Sequence, residues 1–89
     1  MVEVVRKVKV AIANGIHARP SHSIVSMAVD FDAEISIVFE GRRADAKSIL
    51  SVMTLGAPLG APLEVRASGP AAKEAVDALV AFIESSSDE

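Results

Sequence analysis

Residues 14–21 read NGIHARPS, and two different hydrophobic periodicities meet there. Before this stretch, Val8, Val10 and Ile12 alternate with more polar residues, which is the period-2 pattern of a strand with one buried face. After it, the apolar residues at positions 24, 25, 28 and 29 recur at helical spacing. An Asn-Gly pair often closes a hairpin, but the helical pattern that follows predicts a turn from a strand into a helix.

The rest of the chain predicts three more strands and two more helices. Residues 34–40 and 42–45 are expected to pair as a hairpin, and residues 63–68 alternate as a further strand. A short helix is expected over 48–55, and Pro70 is expected in the first turn of the last helix. The buried stripe of that helix is expected to consist of Ala72, Val76, Leu79 and Ile83. The order β-α-β-β-α-β-α predicts an α+β open-faced sandwich, with a four-stranded antiparallel sheet and three helices on one face.

Length and composition restrict the class of protein. We expect a single domain over 1–89, with a frayed, disordered tail at 85–89. The absence of cysteine fits a reducing compartment, and no apolar run is long enough to span a bilayer, so we expect a soluble, cytoplasmic protein that does not contact membranes. A net charge of -3 and only three aromatic residues argue against nucleic-acid binding.

The residues around His17 predict a site for an anion. His17 is expected at or just before the first helical residue, where the backbone N–H groups of Ala18 and Arg19 lack intrahelical partners. A helix N-terminus disfavours imidazolium and favours an anion, so a neutral, nucleophilic ring could carry a phosphoryl group there. Arg19 adds a planar donor for phosphoryl oxygens, and Pro20 lacks an N–H that would be unpaired in the first turn anyway. Because a phosphoramidate is reactive, this pattern predicts that His17 passes the phosphoryl group onward.

Other interpretations of these residues remain open at this point. A histidine shortly before a proline is often a simple turn residue. His22 lies five residues after His17, which places the two rings on different helix faces, and no carboxylate is spaced to complete a metal site, so we expect no metal. Arg42 and Arg43 follow a glycine that lies in a turn, and they are expected to be an exposed pair.

Two segments resemble a known family. GIHARP at 15–20 resembles the active-site signature of the HPr family, the histidine-containing phosphocarriers of the bacterial phosphoenolpyruvate-dependent sugar phosphotransferase system. KSILSVMTLG at 47–56 is similar to the segment of that family that carries a regulatory serine. The resemblance covers almost the whole chain and implies the open-faced fold expected above.

The resemblance also implies residue roles. It makes His17 the phosphoryl acceptor through Nδ1, as a pros-phosphohistidine, with Arg19 neutralising the phosphoryl oxygens, and it makes Ser48 a regulatory phosphorylation site. A serine at this position can also be a simple helix cap. The resemblance further implies an apolar docking patch beside the histidine, although such residues on a short helix usually belong to a core. The patch residues are Ile49, Leu50 and Met53.

The function implied is that of a monomeric phosphoryl carrier without a cofactor and without turnover of its own. Enzyme I would donate the phosphoryl group and an EIIA domain would receive it for sugar uptake. An HPr kinase/phosphorylase and a transcriptional regulator are further partners that the family implies.

The chain also departs from the family pattern. Ser26 and Val29 stand where many sugar-pathway members carry Lys or Arg on the first helix, which leaves the identity of the partners open. A nitrogen-related branch, or a regulatory protein that signals through the phosphorylation state of Ser48, is the alternative function. A structural or ligand-binding α+β domain would leave GIHARP unexplained.

Overall fold

The computed structural model describes residues 3–85 and confirms the predicted order of elements. The strands and helices, in chain order, are β1 (Glu3–Lys9), α1 (Ala18–Ala28), β2 (Glu34–Phe39), β3 (Arg42–Asp45), α2 (Ile49–Met53), β4 (Pro62–Ser68) and α3 (Ala72–Glu84). The single domain over 1–89 stays a prediction. Of the expected tail at 85–89, Ser85 is described as the C-cap of α3, and residues 86–89 lie outside the described part of the chain.

The four strands form one antiparallel sheet in the order β1-β4-β2-β3. Side chains on one face of the sheet are buried beneath the helices, among them Val8 opposite Leu63 and Ile37 opposite Val65. The other face is exposed along β1 and half-buried along most of β4, which agrees with the predicted alternation of apolar and polar residues. This is the open-faced α+β sandwich that the sequence predicts.

The hairpin between β2 and β3 follows from two residues with positive φ. Phe39 pairs with Arg42, so Glu40 and Gly41 form a two-residue loop, with φ of 52° and 78°. Positive φ at both central positions defines a type I′ turn, whose twist matches that of the flanking strands.

Three predicted boundaries differ from the structure. β1 begins at Glu3 and ends at Lys9, and the buried Val10 lies just beyond it, where its N–H donates to Ala61 O at 2.9 Å. The helix predicted over 48–55 is only five residues long, with Ser48 as its N-cap. The placement of Pro70 in the first turn of α3 was wrong, because Ala71 is the N-cap.

α3 packs along the sheet through its predicted stripe, all four residues of which are buried. Asp77 on the exposed side of α3 accepts hydrogen bonds from Lys73 at 2.8 Å and from Arg6 of β1 at 3.0 Å. The hydrogen bond from Lys73 holds the pKa of the Asp77 carboxyl below its usual range. No helix within residues 3–85 combines the length and the hydropathy that a membrane span needs.

Candidate functional site

A tight turn carries the chain from the end of the first strand to His17. The N–H of Gly15 donates to Ile12 O at 2.9 Å, and Asn14, the third residue of this four-residue turn, has a φ of 67°. Asparagine tolerates this left-handed conformation better than most residues do, because its short polar side chain can hydrogen-bond locally. The Asn-Gly pair therefore redirects the chain towards α1, as predicted.

The loop after α2 supports this turn from behind. Ile16 donates its N–H to Ala57 O at 2.9 Å. A Cβ placed on Gly15 would lie 2.4 Å from Ala57 O and 2.8 Å from Pro58 Cα, and Gly15 also has a φ of 75°. Both the close backbone approach and the positive φ require glycine here. The position of His17 thus depends on the loop at 57–58, a contact that no sequence pattern indicates.

His17 is the N-cap of α1, which confirms its predicted place at the start of the helix. Its backbone is extended, with φ of -100° and ψ of -161°, and its carbonyl accepts the first helical hydrogen bond from Ser21 N at 2.9 Å. Among the described residues, nothing accepts a hydrogen bond from the N–H groups of Ala18 and Arg19. The first turn contains no acidic residue to compete for these donors. An anion on the His17 ring could therefore interact with the positive end of α1.

The side chains of His17 and Arg19 are both exposed. The Arg19 guanidinium forms no ion pair with any group in residues 3–85, so its charge is available to a phosphoryl group. The structure thus brings His17, Ala18 and Arg19 to one exposed corner. His22 is exposed further along α1, and no three His, Asp or Glu side chains in residues 3–85 are grouped closely enough to hold a metal.

Ser48 begins the neighbouring helix, which packs against α1. Its Oγ accepts a hydrogen bond from Ser51 N at 3.3 Å, and the Ser51 hydroxyl in turn accepts from Asp45 N at 3.1 Å. Ser48 is therefore a helix cap. The residue is half-buried and lies at the N-terminal end of α2, where the helix dipole tolerates added negative charge.

The predicted patch residues are on the surface and not in the core. Ile49, Leu50 and Met53 expose 38%, 71% and 41% of their surface, whereas Val52 on the opposite side of α2 is buried. A leucine that is 71% exposed leaves apolar surface available for a partner. The exposure excludes a core role for the Ile-Leu-Met set, and the docking role stays a prediction.

Arg42 has a structural role that the sequence analysis missed. Arg42 and Arg43 are both exposed, as expected, but the Arg42 guanidinium donates to Leu55 O at 2.8 Å and to Thr54 O at 3.3 Å. It also lies 5.9 Å from the centre of the Phe39 ring. Arg42 therefore holds the carbonyls that follow α2, next to the loop that supports Gly15. No signal in the sequence distinguishes Arg42 from Arg43.

A buried hydroxyl lies directly after the first turn of α1. Ser21 is fully buried, and its Oγ has no hydrogen-bond partner within residues 3–85. A buried polar atom without a partner destabilises a fold. The sequence analysis did not single out Ser21, because serine at a helical position gives no indication of burial.

Comparison with known proteins identifies the family of this chain. Residues 4–85 match the family model described as "PTS HPr component phosphorylation site". The chain is 40% identical over 79 residues to the phosphocarrier protein HPr of Vibrio cholerae, an alignment that covers 89% of this chain and 93% of that protein.

Solved structures agree with the sequence comparison. The crystal structure of HPr from Bacillus anthracis superposes with a TM-score of 0.90 at 35% identity and covers 93% of this chain and 99% of that one. A structure described as an HPr dimer from Thermoanaerobacter tengcongensis gives a TM-score of 0.72 at 37% identity and covers 79% of this chain and 80% of that one. The expected monomer therefore stays a prediction.

Proposed function

Because the chain belongs to the HPr family of phosphocarrier proteins, we propose that it accepts a phosphoryl group on His17 from phosphorylated enzyme I and passes it to an EIIA domain for sugar uptake. In the first transfer, the bond between phosphorus and the donor breaks as a bond forms to His17 Nδ1. In the second, the new nitrogen–phosphorus bond breaks and the group leaves to the acceptor. The observation that carries this proposal is the position of His17 as the N-cap of α1.

The surroundings of His17 support both halves of this cycle. The backbone N–H groups of Ala18 and Arg19 and the Arg19 guanidinium can each donate to phosphoryl oxygens as charge moves during transfer. No carboxylate of α1 lies in its first turn to repel the incoming group. Because the site is open to solvent, partner proteins have to supply the remaining groups and exclude water. The chain is therefore a substrate of its partners in the cytoplasm and needs no cofactor of its own.

We extend the proposal to the neighbouring helix α2. Its patch of Ile49, Leu50 and Met53 is proposed to contact enzyme I and EIIA in turn, because a flexible methionine side chain adapts to different partner surfaces. Ser48 is proposed as a regulatory phosphorylation site for an HPr kinase/phosphorylase, with a transcriptional regulator as reader of that state. Its position at the start of α2 supports this, since a phosphate there would not oppose the helix dipole.

The alternative is a nitrogen-related or purely regulatory protein that signals through its phosphorylation state. A purely regulatory protein would not need the exposed His17 and Arg19 pair or the donors behind it.

The proposed relay is tested by reconstitution. The chain is incubated with phosphoenolpyruvate and catalytic enzyme I from the same genome, and a candidate EIIA domain is then added. We expect label to appear first on this chain and then on EIIA, with no label on EIIA when this chain is omitted. Label that stays on the chain, or that reaches EIIA without it, would contradict the relay.

A further inference from the structure

Two long segments around the site carry no formal charge. Residues 20–29 and 48–63 contain no Asp, Glu, Lys or Arg, although about a quarter of the whole chain, 24%, is charged. These segments include most of α1, all of α2 and the loop that leads to β4. Arg19 is consequently the only formally charged residue in either α1 or α2.

The same segments carry most of the exposed apolar surface. Residues 3–85 have six exposed large hydrophobic side chains, and five of them lie in the two uncharged segments. The sixth, Val5, lies on β1 in the sheet. We call the five residues the apolar face; they are Val29, Ile49, Leu50, Met53 and Leu59.

The apolar face begins next to the exposed corner that carries His17 and extends to Val29 at the far end of α1. α1 and α2 pack against each other over the same side of the sheet. Along α1, the exposed residues Ala18, His22, Ser26 and Val29 recur at helical spacing and form a stripe that starts beside His17. On the other side, Pro58 touches Gly15, and Leu59 is the next residue in that loop.

We propose that the apolar face, including Leu59 and Val29, docks a partner protein whose contact surface is apolar and uncharged, apart from the groups that meet Arg19 and the phosphoryl group. The proposal rests on the proposed function and names the chemistry of the partner for that site. A charged partner group placed against this face would lose its water and find no counter-charge, which disfavours a charged partner surface.

The charge of the whole chain also favours an uncharged partner surface. A net charge of -3 gives no long-range attraction to an acidic protein. Several of the charges that do exist are paired within the fold and away from the apolar face, as in Arg66 with Glu3 at 3.0 Å and Arg6 with Asp77 at 3.0 Å. Association with the partner should therefore depend on apolar contact and not on charge steering.

The test introduces charges of both signs at Leu59, which is 59% exposed and lies in the loop between α2 and β4, outside the helices and the sheet. The kcat and KM for phosphorylation of His17 are measured with enzyme I from the same genome and phosphoenolpyruvate. We expect Leu59→Asp and Leu59→Lys each to lower kcat/KM by about fivefold or more, through KM. The matched controls Val5→Asp and Val5→Lys should leave it unchanged. For wild type, kcat/KM should change by less than about twofold between roughly 0.05 and 0.5 M salt, whereas charge-steered association changes by 10-fold or more.

Each of five results would overturn the proposal. Opposite effects of Asp and Lys at position 59, or a steep salt dependence, would show that the partner surface is charged. Unchanged kinetics in both Leu59 variants would remove Leu59 from the docking surface. A wild-type dimer in sedimentation that Leu59→Asp dissociates would make a second copy of this chain the occupant. A wild-type chain that takes no phosphoryl group at all would instead refute the proposed function, and the docking proposal with it.

Discussion

His17 acts in this account through its backbone position as much as through its ring. Its carbonyl starts α1, and the two N–H groups that follow point out of the helix without a partner among the described residues. Gly15 allows this placement, because any side chain there would collide with the backbone of Ala57 and Pro58. A Gly15→Ala variant should therefore displace His17 even though position 15 carries no chemical group.

Arg19 provides the first test at this scale. Arg19→Ala should slow both acceptance and donation of the phosphoryl group by on the order of 10²-fold, because it removes a preorganised donor from the transition state. Its stability to urea should match wild type, since the side chain is exposed and forms no ion pair within residues 3–85. Rapid-quench kinetics in both directions measure the effect. Wild-type rates would remove Arg19 from the mechanism.

The buried hydroxyl of Ser21 is expected to destabilise the fold. Ser21→Ala should raise the free energy of unfolding by about 1 kcal/mol or more, because it removes a buried hydroxyl that has no hydrogen-bond partner in the described part of the chain. Ser26→Ala is the matched control, because Ser26 is exposed on the same helix and gains only the helix propensity of alanine, about 0.5 kcal/mol. Urea denaturation of both variants separates the effect of the buried hydroxyl from that of helix propensity. A Ser21→Ala variant no more stable than Ser26→Ala would show that the hydroxyl is satisfied in solution.

Ser48 distinguishes a cap from a regulatory site. Ser48→Ala should lower the free energy of unfolding by about 1 kcal/mol through loss of the hydrogen bond to Ser51 N. Ser48→Asp retains a capping oxygen and should keep the thermal midpoint, while its charge slows phosphorylation of His17 by enzyme I. Melting curves and transfer rates on both variants give the answer. An unaffected transfer rate in Ser48→Asp would leave Ser48 as a cap alone.

At the scale of elements, α2 and the loop after it connect Arg42 to the site. The Arg42 guanidinium binds the carbonyls of Thr54 and Leu55, and the chain then continues through Gly56 to the loop behind Gly15. A change at Arg42 can therefore reach both the end of α2 and the turn that carries His17.

Arg42→Met should lower the free energy of unfolding by about 1 kcal/mol, because two carbonyl acceptors lose a charged donor. Arg42→Lys should recover part of this loss, and Arg43→Met, which removes the adjacent exposed arginine, should have no comparable effect. Urea titrations of the three variants provide the measurement. Equal losses at positions 42 and 43 would mean that the carbonyl contacts are not stabilising.

The elements themselves were largely predictable from the sequence, because periodicity records which face is buried. Val8 and Ile37 point to the core as their alternation predicts, and His17 lies at the predicted helix start. The predicted position of Pro70 was wrong because Pro70 belongs to a turn that begins at Gly69, where Ala72 N donates to Gly69 O at 3.2 Å. The preference of proline for the first turn of a helix does not decide its position here. The support of Gly15 by Ala57 was not predictable, since it depends on contacts between residues far apart in the chain.

At the scale of the whole molecule, the two sides of the sheet differ in chemistry. The open face of the sheet carries ion pairs such as Arg66 with Glu64 at 3.0 Å, whereas the helices around His17 are nearly uncharged. This division leaves α1 and α2, unlike the charged α3, as the surface that successive partners are proposed to contact. In the proposed relay, the phosphoryl group and Arg19 would be the main charged features that a partner meets there.

The most direct test of the central claim is the intact mass of the chain after incubation with enzyme I and phosphoenolpyruvate. We expect wild type and His22→Ala each to gain one acid-labile, base-stable phosphoryl group, and His17→Ala to gain none. Loss of the phosphoryl group in His22→Ala with retention in His17→Ala would contradict the assignment of His17 as the acceptor.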